Sequence, residues 1–179
     1  MLASETTKIQ SFDYKKLLPI LQAKFHLSCE WRFECVPISM ISPSCLHVYS
    51  DRLKKAEDLI EKCQQSNISL FMPYEVYYES GCKRLVVPPI LEIRDNKYLL
   101  CDGMHRIYAA KKAGIKNIFA FVVHNPKLPL AGAINDWGNV TLIDTQLPVE
   151  KNFIDFNRQG LTGYSKFCNS SFWINNVKE

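Results

Sequence analysis

The stretch from Ile90 to Val123 constrains the fold more than any other part of this chain. Ile90 to Arg94 (ILEIR) is apolar and branched, Asp95-Asn96 is a turn pair, and Lys97 to Cys101 returns as a second run. Two such runs separated by two turn-forming residues predict a β-hairpin. Asp102-Gly103 follows at once, and then MHRIYAAKKA, whose alanines and straight-chain residues favour helix. Gly114 stands where that helix needs a residue with positive φ to end it. Residues 117–123 (NIFAFVV) then read as a buried strand.

The flanks extend this frame. Residues 51–65 carry Leu53, Ala56, Leu59, Ile60 and Cys63 as one apolar stripe on an otherwise charged helix, with Ser50 as its expected capping residue and Asp51 as a negative charge in its first turn. Residues 32–38 read as a short strand, and Pro37 makes it an edge strand or ends it. Residues 12–25 place Phe12, Leu17, Leu18, Leu21 and Phe25 at helical spacing, with Pro19 expected to kink the helix or start a new one. Residues 1–10 are polar and read as frayed. Pro88 and Pro89 interrupt the run 85–94 ahead of the hairpin. After Pro126 no clean period survives; a tail is expected, packed through Trp137, Phe153, Phe156, Tyr164, Phe167, Phe172 and Trp173, because so many aromatics do not suit a free linker. The divisions expected are therefore an N-terminal helical extension (1–30), a central domain (31–124) and an aromatic extension (125–179).

Composition removes several classes. With 179 residues, 47% hydrophobic and 22% charged, the chain has apolar surface for a core and is not disordered throughout. Its longest uninterrupted apolar run, Ile118 to Val123, is far below the ~20 residues of a membrane helix. Met1 to Lys8 lacks the apolar core of a secretory signal, so a cytoplasmic protein is expected. The net charge of +4 leans weakly toward anionic partners. Residues 125–179 hold five basic and five acidic side chains, so the excess lies in residues 1–124, and a phosphate explains it as well as DNA does. None of the seven cysteines forms a CxxC pair. His26, Cys29 and Cys35 are the nearest approach to a metal-ligand set, and reduced thiols are the simpler reading.

The chemistry concentrates in Tyr98 to Ala110 (YLLCDGMHRIYAA), where a strand end, a glycine and a helix start meet. Helix N-termini expose N–H groups and a partial positive charge, which suits an anion. Gly103 admits close backbone approach, His105 and Arg106 lie in the first turn, and Arg106 has the fork to clamp a phosphate. Asp102 either caps the helix or holds a divalent cation or a hydroxyl beside the phosphate. The plainer reading makes Asp102 a cap, His105 a packed side chain and Arg106 a solvated one. Further polar candidates are Ser42 and Ser44, which donate to a phosphate or start a turn, and His124 and Asn125, which follow the last core strand and so stand at the rim of a pocket; for His47 and for Lys83-Arg84 an ordinary solvated surface is the simpler reading.

The run VVPPILEIRDNKYLLCDGMHRIYAAKKAGIKNIFAFVV resembles the ParB/sulfiredoxin superfamily in its order of hairpin, Asp-Gly-x-His-Arg turn, Ala-rich helix, glycine and apolar strand. Val36 to Pro43 looks like the opening strand and residues 51–65 like the following helix, so the resemblance covers roughly residues 33–124. It implies an α+β fold, a small mixed sheet flanked by helices. Met104 stands where sulfiredoxins carry their catalytic cysteine, which argues against that chemistry. Segregation ParB proteins have a Gly-Glu-Arg-Arg turn, bind CTP and continue into a helix-turn-helix, which the C-terminal part here does not show. The free-serine kinases of the superfamily use Asp-Gly-His-His-Arg, which Asp102, Gly103, His105 and Arg106 match. By that resemblance Asp102 and His105 are catalytic, and Gly103, Met104, His105 and Arg106 hold the phosphates of ATP, ADP or CTP with Mg²⁺, Asp102 being its ligand. The kinases' loop glutamate has no counterpart in Ser42 to Ser50. The expected activity is a Mg-dependent phosphotransferase acting on a small hydroxyl-bearing substrate, or a nucleotide hydrolase. The alternative is a non-catalytic nucleotide-sensing or DNA-binding regulator. The fold serving only as an interaction scaffold is the third reading.

Overall fold

The computed structural model describes residues 6–25, 29–69, 71–79, 81, 83–127 and 129–160. In chain order these form β1 (Thr6–Ser11), α1 (Tyr14–Phe25), β2 (Glu30–Pro37), β3 (Ile41–Ser42), β4 (His47–Tyr49) and α2 (Ser50–Gln65). They continue as β5 (Tyr74–Tyr78), β6 (Lys83–Val86), β7 (Ile90–Arg94), β8 (Lys97–Asp102), α3 (Met104–Lys112), β9 (Asn117–His124) and β10 (Thr141–Ile143). The fold is α+β, as expected.

A five-stranded mixed sheet in the order β2-β9-β7-β8-β3 forms its centre. β2 runs antiparallel to β9, β9 parallel to β7, β7 antiparallel to β8 and β8 parallel to β3. The β7–β8 hairpin turns at Asp95 (φ 48°) and Asn96 (φ 59°), the two positive values that such a tight turn needs. β2 lies at the sheet edge, which accommodates Pro37.

Alternation along the strands divides the core between the two faces. Leu91, Leu100, Ala120 and Val122 point to α2 and α3 and pack with Leu53, Ala56, Ile60 and Ile107. Ile90, Phe121, Val123 and Trp31 point the other way and meet Leu17 and Leu21 of α1. Tyr14 stacks on Phe33 at 4.5 Å, and Phe33 continues the stack onto Phe119 at 5.5 Å. α1 runs through Pro19 as one helix and starts behind Asp13, whose carboxylate accepts the Lys15 N–H at 2.9 Å. The side chain of Phe25 lies outside the described part.

Several expectations are corrected. Residues 6–11 are not frayed: they form β1, paired antiparallel with β5, which also pairs with β6 in a separate three-stranded sheet. The backbone ladder, not an apolar pattern, holds this segment. Ser50 is not the cap of α2. It is the first helical residue, Tyr49 holds the cap position, and the Ser50 hydroxyl donates to the Ile143 carbonyl at 3.3 Å. The segment after Pro126 includes β10, parallel to β4, rather than a wholly irregular tail. Trp137 does pack on the body: its Nε1–H donates to the Ile41 carbonyl at 2.7 Å and its ring meets Tyr108 at 6.3 Å. Phe153 and Phe156 meet each other at 5.9 Å, while Tyr164, Phe167, Phe172 and Trp173 lie outside the described residues. No helix among the described residues is long and apolar enough to cross a membrane.

Candidate functional site

The strand-to-helix turn after β8 is built as the sequence suggests, for partly different reasons. Gly103 has φ 99° and is the N-cap residue of α3. An added Cβ there would stand 3.0 Å from Cβ of Pro89 and 3.3 Å from the Arg106 guanidinium. The left-handed backbone favours glycine here, and the close proline wall ahead of β7 adds to that preference. At the far end Gly114 (φ 72°) closes the helix: its N–H reaches the Lys111 carbonyl at 3.1 Å and the Ile115 N–H reaches Ala110 at 3.0 Å.

Asp102 does not hold the cap position of the helix, which is Gly103's. It is the last residue of β8, and its carboxylate faces the Arg106 Nη2 at 3.4 Å. Arg106 turns back over the turn, and its Nη1 donates to the Val87 carbonyl. The guanidinium thus ties the β6–β7 linker to the end of β8, and its side chain is only 20% exposed. Arg106 also borders a depression lined by Ala56, Leu59, Ile60, Phe71 and Tyr74, of about 10 Å³, room for roughly one water. That depression is not a nucleotide pocket. Met104 is buried in the helix-side core and presents no side chain to a ligand. Asp102, Gly103, His105 and Arg106 are half-buried rather than sealed.

His105 reaches sideways. Its Nε2 accepts the backbone N–H of Tyr49 at 3.1 Å, and the two rings stack with centroids 5.8 Å apart. The start of α3 is thereby fixed to the start of α2, so two helix N-termini converge on one half-exposed spot. Burial, then the Arg52 charge, pushes His105 down to about 4, with Asp51 and Asp102 partly offsetting them. Arg52 is the residue that sequence reasoning missed. Its guanidinium lies 5.3 Å from the centre of the Tyr49 ring and its side chain is exposed. A signal was present: a cation in the first turn of a helix opposes the helix dipole and calls for a reason.

The remaining candidates scatter. The Ser44 hydroxyl donates to the Leu100 carbonyl at 2.6 Å, which pins the loop to β8. His47 Nδ1 lies 2.8 Å from the Thr141 hydroxyl. Lys83 pairs with Glu75 at 2.9 Å on the small sheet. His124 sits at the opposite end of the central sheet from Asp102, 2.8 Å from Glu34. The thiols nearest the turn are held protonated by burial, Cys45 pushed up to about 11 and Cys101 also raised. Among the described residues no three His, Cys, Asp or Glu side chains gather as a metal site, and His26 lies outside them.

No family model matches this chain, and no curated protein does. Two solved structures align with about half of it. One is a conserved hypothetical protein from Pyrococcus furiosus, 19% identical over 51% of this chain and 32% of that one, with a TM-score of 0.34. The other is a protein from Agrobacterium tumefaciens, 13% identical over 53% and 40%, also at 0.34. The aligned part thus spans about a third to two-fifths of those chains. Likeness of this degree carries no argument about fold or function.

Proposed function

We propose that this chain is a nucleotide-binding protein of the ParB/sulfiredoxin type, which seats phosphate oxygens where α2 and α3 begin. One observation carries the reading: the Tyr49–His105 hydrogen bond brings two helix N-termini together beside a glycine turn. Their partial positive charges and free N–H groups add at one spot, the physical requirement for holding a polyanion. Exposed Arg52 supplies a full positive charge there, a role that committed Arg106 is less able to fill. Mg²⁺ fits only as the nucleotide's companion, with Asp102 its one carboxylate ligand and phosphates and water the rest, an ordinary arrangement for this ion. It would neutralise phosphate charge, so that Asp102 tolerates a polyanion nearby. Asp102 would then orient, or take the proton from, a small hydroxyl-bearing acceptor in phosphotransfer.

The arrangement of Arg106 favours a second reading. Its guanidinium holds Asp102 at 3.4 Å, and that pairing suits a sensor that binds nucleotide without turnover, DNA-linked or otherwise. A thermal-shift panel with ATP, ADP and CTP, with and without Mg²⁺, tests binding. Phosphorus NMR with free hydroxy amino acids tests transfer. The reading predicts Mg-dependent stabilisation by at least one nucleotide; no stabilisation by any of them contradicts it. Stabilisation with every phosphorus signal unchanged selects the sensor.

A further inference from the structure

His105 lies in the turn that matches the kinases, yet its geometry assigns it a different task from proton abstraction. Nε2 accepts an N–H from Tyr49, so it carries no proton, and the single proton of the neutral ring sits on Nδ1. Neither nitrogen then offers a lone pair to a substrate hydroxyl. The reason for the bond lies in α2. Tyr49 is the N-cap residue of that helix and makes no side-chain cap. In a capping box, the third helical residue is a Glu or Gln that accepts the cap residue's N–H. Here that position is Arg52, which has no acceptor. His105 supplies from α3 the acceptor that α2 lacks.

We propose that His105 is a positioning residue: as a neutral, Nδ1-protonated imidazole it clasps the start of α2 to the start of α3, and it leaves the ring only a donor to offer. The clasp stands on the hydrogen bond and the ring stack; its value to a ligand rests on the phosphate-site reading above. The groups around the ring agree with a neutral state. Arg52 from α2 and Arg106 from α3 disfavour a second positive charge, Asp51 and Asp102 oppose them, and burial decides the balance.

Long-range ¹⁵N–¹H correlation spectra of the ligand-free full chain test the tautomer directly. The Nδ1-protonated pattern is expected at pH 7.5 and unchanged at pH 5.5. A proton on Nε2, or an imidazolium pattern within that range, overturns the clasp. Variants test its purpose. H105Q keeps an acceptor near the Nε2 position and H105A removes it. H105Q is expected to retain most of the wild-type melting temperature and of the Mg–ATP thermal shift, while H105A loses both. H105Q no better than H105A overturns the proposal. So does wild-type Mg–ATP affinity that changes tenfold across pH 6 to 7.5, the mark of a titrating base. If the tautomer is as expected but Mg–ATP shifts neither wild type nor H105Q, the clasp stands and the phosphate reading falls.

Discussion

The two ends of the central sheet each carry a half-buried histidine, and the partners differ. At the end near α3, His105 accepts from a backbone N–H, and burial, then the Arg52 charge, favours the neutral ring over the opposing pull of Asp51 and Asp102. At the other end, His124 lies 2.8 Å from a Glu34 carboxylate that also accepts the Tyr98 hydroxyl at 3.4 Å. One arrangement joins the starts of two helices. The other closes a side-chain network on itself across the strands. Residue type alone does not separate the two; the partner does. At the α3 end the histidine is satisfied by backbone while Asp102 and Arg106 pair with each other; at the far end the histidine itself is drawn into the side-chain network of Glu34 and Tyr98.

Substitution at each end should break the comparison in its own way. Arg106→Ala removes the largest contribution, because it orphans the Val87 carbonyl and leaves Asp102 without its cation. A loss of about 2–3 kcal/mol is expected from urea unfolding. His124→Ala removes one hydrogen bond at the closed end and should cost about 1 kcal/mol, with nucleotide stabilisation unchanged. Equal losses at both ends, or a nucleotide effect at His124, would dissolve the distinction.

A third, smaller effect sharpens it from the strand that joins both ends. Glu92 is fully buried in β7, with Oε2 2.6 Å from Arg94 Nε and Oε1 without a hydrogen-bond partner. Burial raises its pKa above the ordinary carboxylate value, only partly countered by Arg94. A carboxyl raised in the folded state contributes stability that is complete below its unfolded pKa and lost as pH rises through the folded one. Glu92→Gln should therefore raise the melting temperature at pH 7.5 relative to wild type, and raise it less, or not at all, near pH 4. Melting curves at the two pH values check the sign.

Local signals made part of this molecule legible. The hairpin was readable because Asp95-Asn96 is a turn by chemistry, and α3 because Gly103 and Gly114 bracket an alanine-rich run. The stripe on α2 announced its buried face. β1 was not readable: Thr6 to Ser11 is almost all polar, and its place depends on pairing with Tyr74 to Tyr78, more than sixty residues away. β10 is three residues long and depends likewise on a distant partner, β4. At the candidate site the sequence marks the strand-to-helix turn but not the partners its side chains take. Arg106 has the chemistry of a phosphate clamp and is committed to Val87 and Asp102. The acceptor for Tyr49 comes from another helix, a debt that no local pattern records.

Backbone amide shifts during a Mg–ATP titration of ¹⁵N-labelled protein test the central claim most directly. The account predicts saturable shifts concentrated at Gly103 to Arg106 and at Ser50 to Arg52, the two helix starts that His105 joins. Saturable shifts confined to any other part of the chain, with both of those segments still, would contradict it.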